Sequence, residues 1–265
     1  MTDNNLISSD DKWNDGGCKV YEVLPDGLTL QHNQVHPEVW SNIQHWFSTD
    51  MLPSSSSSVS TNLIRVPIPW ETGPQMQGRR VAQFGNCKYN YRTDVAEYCD
   101  NDMSSLTSDN MTDNVDSSCC RSSIPPIPKY IQQHLLDNRQ LHKKSEQFTQ
   151  CIINMYKAEN EIPWHIDHEH FGEKVLVYTF GDDRPLLLRK PYNDNGDGDK
   201  SITIHNENNQ SEDDNNHTYI YTQVFPRHGS KYVLSGPARH EWEHSVPSGK
   251  SDRVSITFRS WIGPK

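Results

Sequence analysis

Residues 253–259, RVSITFR, alternate without a break between polar and apolar side chains. A period of two puts Val254, Ile256 and Phe258 on one face of a strand, and Arg253, Ser255, Thr257 and Arg259 on the other. Such a strand must bury its apolar face while two guanidiniums point together to the opposite side. Paired cations on one strand face, just downstream of His244, read as the anion-holding wall of a site. The rest of the chain has to supply what that wall faces.

Upstream lies WHID at 164–167, with His165 and Asp167 two residues apart. In extended chain i and i+2 face the same side, so both can reach one ion. His, Asp and a distant His form the facial triad of non-haem Fe(II) oxygenases, which leaves three coordination positions open. His244 is the third ligand this pattern predicts. With 13 His in the chain the pair alone is weak, and His168 and His170 lie beside it. The order H-x-D, distant His, R-x5-R is far rarer than any one piece. It is also chemically coherent. A 2-oxo acid chelates Fe(II) through its keto oxygen and one carboxylate. Its far carboxylate needs a fixed cation, and a planar guanidinium offers two parallel charge-assisted hydrogen bonds. A zinc hydrolase with the same His/Asp/His set would leave the two arginines unexplained. A non-catalytic protein- or nucleic-acid-binding module that keeps the fold is the other alternative.

A length of 265 residues suffices for one large domain or two small ones. Only 33% of residues are hydrophobic and mean hydropathy is -0.85, so part of the chain is expected to be disordered. The net charge of -10 is concentrated in residues 94–116 and 193–217, which hold seven acids each and one Lys between them. The remaining body is slightly basic, so net charge does not exclude a nucleic-acid partner. Six cysteines without a C-x-x-C pair read as reduced thiols. The first residues carry no basic start or apolar run, and no stretch reaches transmembrane length. A soluble cytoplasmic or nuclear protein with no membrane partner is expected.

Along the chain, a disordered tail is expected over 1–17 and one domain over 18–265. That domain has a lid or extension over 18–92, a core over 124–262 and low-complexity loops over 48–62, 94–123 and 193–217. Helices are predicted at His36–Phe47 and Ile127–Leu136. Strands are predicted at Phe148–Tyr156, Val175–Phe180, Leu186–Leu188, Tyr219–Phe225 and Tyr232–Leu234. The fold class is mainly β with flanking helices (α+β), as a sandwich or jelly roll.

On the residues N154-M-Y156, H165-I-D167, H244 and R253-V-S-I-T-F-R259, the chain resembles the AlkB-like Fe(II)/2-oxoglutarate dioxygenases, from about residue 20 to 261. The resemblance implies a double-stranded β-helix with Fe(II) on His165, Asp167 and His244. It implies 2-oxoglutarate and O2 as co-substrates, with Asn154, Tyr156, Arg253 and Arg259 around 2-oxoglutarate. The implied reaction is oxidative N-demethylation: an N-methyl carbon is hydroxylated, CO2 and succinate form, and the hemiaminal releases formaldehyde. Three stretches, 78–92, 165–175 and 234–244, are similar to the subgroup of the fourth AlkB homologue. That likeness implies a methyl-lysine protein such as actin, or a methylated nucleic acid, as substrate. Ser255 stands where several nucleic-acid repair members have Asn.

The substrate side has its own candidates. Glu169, two past Asp167, is placed to accept a hydrogen bond from a base or to pair with an ammonium; a solvated loop acid is the plain alternative. Arg79, Arg80, Tyr89 and Tyr91 are candidates for a lid. Arg with interleaved aromatics suits base stacking and phosphate contact, or a methyl-ammonium against aromatic faces. An edge strand with half-buried tyrosines is the structural alternative. Trp242 is expected to pack behind the metal or in the plain core. Arg239 and His240 match the subgroup pattern without an assignable role.

Overall fold

The computed structural model describes residues 24–49, 67–93, 95–98, 124–137, 140, 147–191 and 219–264. The expected tail over 1–17 and most of the low-complexity segments lie outside these residues. Within the segment expected as loop from 94, Val95–Tyr98 forms a strand instead. The alternation Val, Ala, Glu, Tyr is short, and the surrounding acids masked it.

Among the described residues, thirteen strands form two antiparallel sheets and a ribbon. The large sheet contains β1 (Leu28–Gln31), β2 (Trp70–Glu71), β3 (Arg80–Gly85), β6 (Gln150–Tyr156), β8 (Phe171–Gly181), β11 (Ser230–Ser235) and β13 (Arg253–Trp261). Their spatial order is β1-β11-β8-β13-β6-β3-β2. The small sheet is built from β7 (Ile162–His165), β9 (Leu186–Pro191), β10 (Tyr219–Val224) and β12 (Glu243–Val246), in the order β10-β9-β12-β7. The ribbon pairs β4 (Cys87–Asn90) with β5 (Val95–Tyr98). From β6 onward the chain passes repeatedly between the two sheets, which is the connectivity of a double-stranded β-helix, or jelly roll.

Two hydrophobic clusters flank the large sheet. Between the sheets, Val175, Val177, Tyr232 and Leu234 of the large one meet Leu186, Leu188, Val224 and Val246 of the small one. On the outer face, Ile153, Leu176, Phe180, Ile256 and Phe258 pack against two helices, α1 (Pro37–Thr49) and α2 (Lys129–Leu135). Helix α1 arises from its 3–4 spacing: Ile43, Trp46 and Phe47 are buried, and Trp40 stacks on Phe180 with ring centroids 4.3 Å apart. Burying each of these large side chains contributes about 2 kcal/mol, so Trp46→Ala is the change that would most loosen this layer. Among the described residues no helix is long and apolar enough to cross a membrane.

Candidate metal and co-substrate site

A cavity of about 330 Å³ opens between the sheets, and its wall is built largely by strand parity. On β13, Arg253, Ser255, Thr257 and Arg259 line it, while Val254, Ile256 and Phe258 join the outer cluster. The alternation expected from the sequence is thus the one observed. The neighbouring strand matches it: Arg253 pairs with Tyr156, Ser255 with Asn154 and Arg259 with Gln150. Asn154 and Tyr156 therefore face the same space. Their side chains lie 3.4 Å from the Ser255 hydroxyl.

The His/Asp/His set converges at the other end. His244 on β12 is directly opposite His165 on β7, with ring centroids 4.2 Å apart. Asp167 lies just past the end of β7 rather than on it, which corrects the fully extended H-x-D expected from the sequence. Its Oδ2 still reaches to 3.7 Å from His244 Nε2. Its Oδ1 accepts from Arg259 Nη1 at 2.5 Å. Burial alone would raise the Asp167 carboxyl, but the opposing cation Arg259 outweighs it and holds the group ionised, well below the usual carboxylate range. Burial, reinforced by His165, pushes His244 down to about 3. His165 Nδ1 is 2.9 Å from the Pro163 carbonyl, which can only accept. That contact puts the proton on Nδ1 and leaves Nε2 as a lone pair.

Two imidazoles and an ionised carboxylate are the donor set an Fe(II) ion takes, and they fit it. Among the described residues, no three such groups are already closed around one point. The co-substrate end fits as well. Arg253 Nε and Nη2, Arg259 Nη2 and Asn154 Oδ1 are all buried without a hydrogen-bond partner among the described residues. Buried guanidinium N–H groups are expensive to leave unmet, so this end suits a carboxylate.

Two buried arginines support the site, and neither has a role legible in the sequence. Arg239 lies on α3 (Gly236–His240) and is 1% exposed. It donates from Nη1 to the Asp167 carbonyl and from Nη2 to the His168 carbonyl, both at 2.8 Å. It thus clamps the backbone that carries Asp167. Arg184 stands behind Arg253, whose Nη1 donates to the Arg184 carbonyl at 2.9 Å. Its own guanidinium gathers the carbonyls of Asn160, Lys157 and Ser251. No local pattern could have revealed either role, because each depends on loops far apart in sequence.

The substrate-side candidates separate. Arg79, Tyr89 and Tyr91 line the cavity, with the two tyrosine rings edge-to-face at 4.9 Å. Burial pushes the Tyr91 phenol up to about 12, so it stays neutral. Arg80 does not join them. It is one residue out of phase with Arg79, and its guanidinium lies 4.5 Å from the Trp70 ring centroid. Glu169 is exposed and does not line the cavity. Trp242 belongs to the cluster between the sheets, beneath Lys190, rather than to the cavity wall.

The sequence profile of the 2OG-Fe(II) oxygenase superfamily matches residues 68–259. The chain belongs to that superfamily, whose name gives 2-oxoglutarate and Fe(II) as its reagents. It is similar to the RNA demethylase ALKBH9B of Arabidopsis thaliana, 26% identical over 91% of this chain and 40% of the relative. It is also similar to the DNA oxidative demethylase ALKBH2 of the same plant, 27% identical over 42% of this chain and 37% of the relative. The chain therefore aligns to well under half the length of each. The structure of OsALKBH1 overlaps it with a TM-score of 0.47 and 12% identity, over 91% of this chain and 99% of that one.

Proposed function

We propose that this chain is an oxidative N-demethylase of methylated nucleic acid, with Fe(II) on His165, Asp167 and His244 and 2-oxoglutarate on Arg253, Arg259, Asn154 and Tyr156. One observation carries the reading. A single cavity joins a His/Asp/His set to two buried guanidiniums with unmet N–H groups. Both relatives are nucleic-acid demethylases by name. Nothing comparable supports the methyl-lysine protein substrate or the fourth-homologue subgroup expected from the sequence.

Bound iron, with 2-oxoglutarate and O2, supplies the oxidising power that hydroxylates the N-methyl carbon. The chain's own residues do the rest. Arg253 orients the far carboxylate, and its place is fixed by the Arg184 carbonyl. Arg259 holds Asp167 in its ionised form with one oxygen turned toward His244. Ile152, Val175, Val177 and Leu234 keep the walls apolar and exclude water. Tyr89, Tyr91 and His168 offer ring faces to a base drawn out of its stack.

Formaldehyde release from N6-methyladenine RNA and DNA oligonucleotides, set beside a methyl-lysine peptide, tests the reading. Turnover of an oligonucleotide that is lost in His165→Ala is expected. Turnover of the peptide alone would overturn the nucleic-acid assignment.

A further inference from the structure

The wall that carries Tyr89 is fastened to Arg259 through two interior glutamines. Gln150 is fully buried and Gln83 is 3% exposed. Gln83 faces inward from β3 with the parity of Arg79, and Gln150 opens β6. Interior positions facing an apolar wall are normally apolar, since a buried amide is costly unless every polar atom is met. Here they are met in sequence. Gln150 Oε1 accepts from Arg259 Nε at 2.9 Å. Gln150 Nε2 donates to the Cys87 carbonyl at 3.1 Å and lies 3.4 Å from Gln83 Oε1. Gln83 Oε1 accepts from the Tyr89 amide, and Gln83 Nε2 donates to the Tyr89 carbonyl, both at 2.8 Å.

One side-chain amide therefore takes the place of a neighbouring strand for Tyr89. Among the described residues strand β4 pairs only with β5 in the ribbon, and the two glutamines tie its backbone to the large sheet. Gly85 makes the turn into β4 possible: its φ of +109° and the Thr149 carbonyl, which any added Cβ would strike, leave room for glycine only. The Arg259 guanidinium is also 6.0 Å from the Tyr89 ring centroid.

We propose that Gln83 and Gln150 are positioning residues that couple the co-substrate end of the cavity to its substrate wall. Anchoring Arg259 fixes Gln150, which fixes Gln83, which sets Tyr89 and with it Tyr91. This rests on the reading of Arg259 as a 2-oxoglutarate ligand.

Amide hydrogen exchange over residues 87–91 tests it, on the full chain with Mn(II), with and without 2-oxoglutarate. In the wild type 2-oxoglutarate slows exchange of the Tyr89 amide about fivefold or more, the scale of one buried hydrogen bond. Gln150→Met keeps the volume and abolishes that response. Gln83→Met exchanges fast in both conditions and, because coupling is reciprocal, its 2-oxoglutarate Kd rises about fivefold although its side chain does not touch Arg259. Should Gln150→Met not fold, the lost Tyr89 response in Gln83→Met together with that rise in Kd carries the test. If 2-oxoglutarate binds but Tyr89 responds equally in wild type and variants, or not at all, the coupling is absent and the glutamines only stabilise the fold. If 2-oxoglutarate does not bind the wild type, the co-substrate reading falls, and the coupling with it.

Discussion

Arg259 and Asp167 hold each other inside the cavity at 2.5 Å, with side chains 7% and 9% exposed. Neither charge has water to fall back on. Asp167→Asn therefore leaves a buried guanidinium without its counter-charge, and metal-free protein should lose about 3 kcal/mol of stability. Urea denaturation of the variant beside wild type checks this. A loss below about 1 kcal/mol would mean the pair is far better solvated than its burial indicates.

Acidification should weaken the same region before the Asp167 carboxylate titrates. His244 is held at about 3 in the folded chain, against an ordinary 6.5. Below pH 6.5 the unfolded chain takes up a proton that the folded chain refuses, so stability falls as pH drops toward 3. Between about pH 7 and pH 5 the metal-free protein should lose about 2 kcal/mol. His244→Gln should flatten that slope. Asp167 adds nothing in this window, because its depressed carboxyl gives stability that is lost only under stronger acid.

The Arg239 clamp predicts a metal phenotype from a residue that touches no metal. Arg239→Met removes both donors to the Asp167 and His168 carbonyls. Mn(II) affinity, followed by calorimetry, should fall about 10- to 100-fold. Arg239→Lys keeps the charge but not the fork, and should recover only part of the loss.

Arg253→Lys tests the co-substrate end. A point charge replaces a planar fork, and Kd for 2-oxoglutarate should rise about tenfold or more, with Mn(II) affinity unchanged. Equal affinity in the two proteins would place the carboxylate elsewhere.

Arg79 and Arg80 form a matched pair of opposite expectation. Arg79→Gln should raise KM for the oligonucleotide about tenfold, because Arg79 lines the cavity. Arg80→Gln and Glu169→Gln should leave KM within about twofold, since neither side chain reaches it. Initial-rate kinetics at saturating 2-oxoglutarate separates the outcomes.

What could be read in the chain was whatever depends on neighbours. The alternation in 253–259 and the face of the first helix are local, and both are observed, whereas Asn154 and Tyr156 entered only through the family resemblance. Grouping Arg80 with Arg79 ignored the same parity rule one residue away. Asp167 was expected on a strand because H-x-D reads as extended chain, yet β7 ends at His165 and the Arg239 clamp fixes the backbone beyond it. Arg184, Arg239, Gln83 and Gln150 remained silent for one physical reason. Each acts on carbonyls or amides far from it in sequence or across a turn, and a backbone carbonyl has no residue identity to recognise.

The register between β6 and β13 carries a consequence for how this chain can vary. Seven consecutive pairs, from Arg253↔Tyr156 to Arg259↔Gln150, keep every candidate co-substrate residue on one side. Deleting a single residue near the middle of either strand would turn half of the ladder over. Arg259 would then point toward Phe148 and Tyr178, and Phe258 into the cavity. Substitutions along this ladder can be graded, but a change of length by one cannot. Insertions in related chains should therefore collect between strands and never within these two.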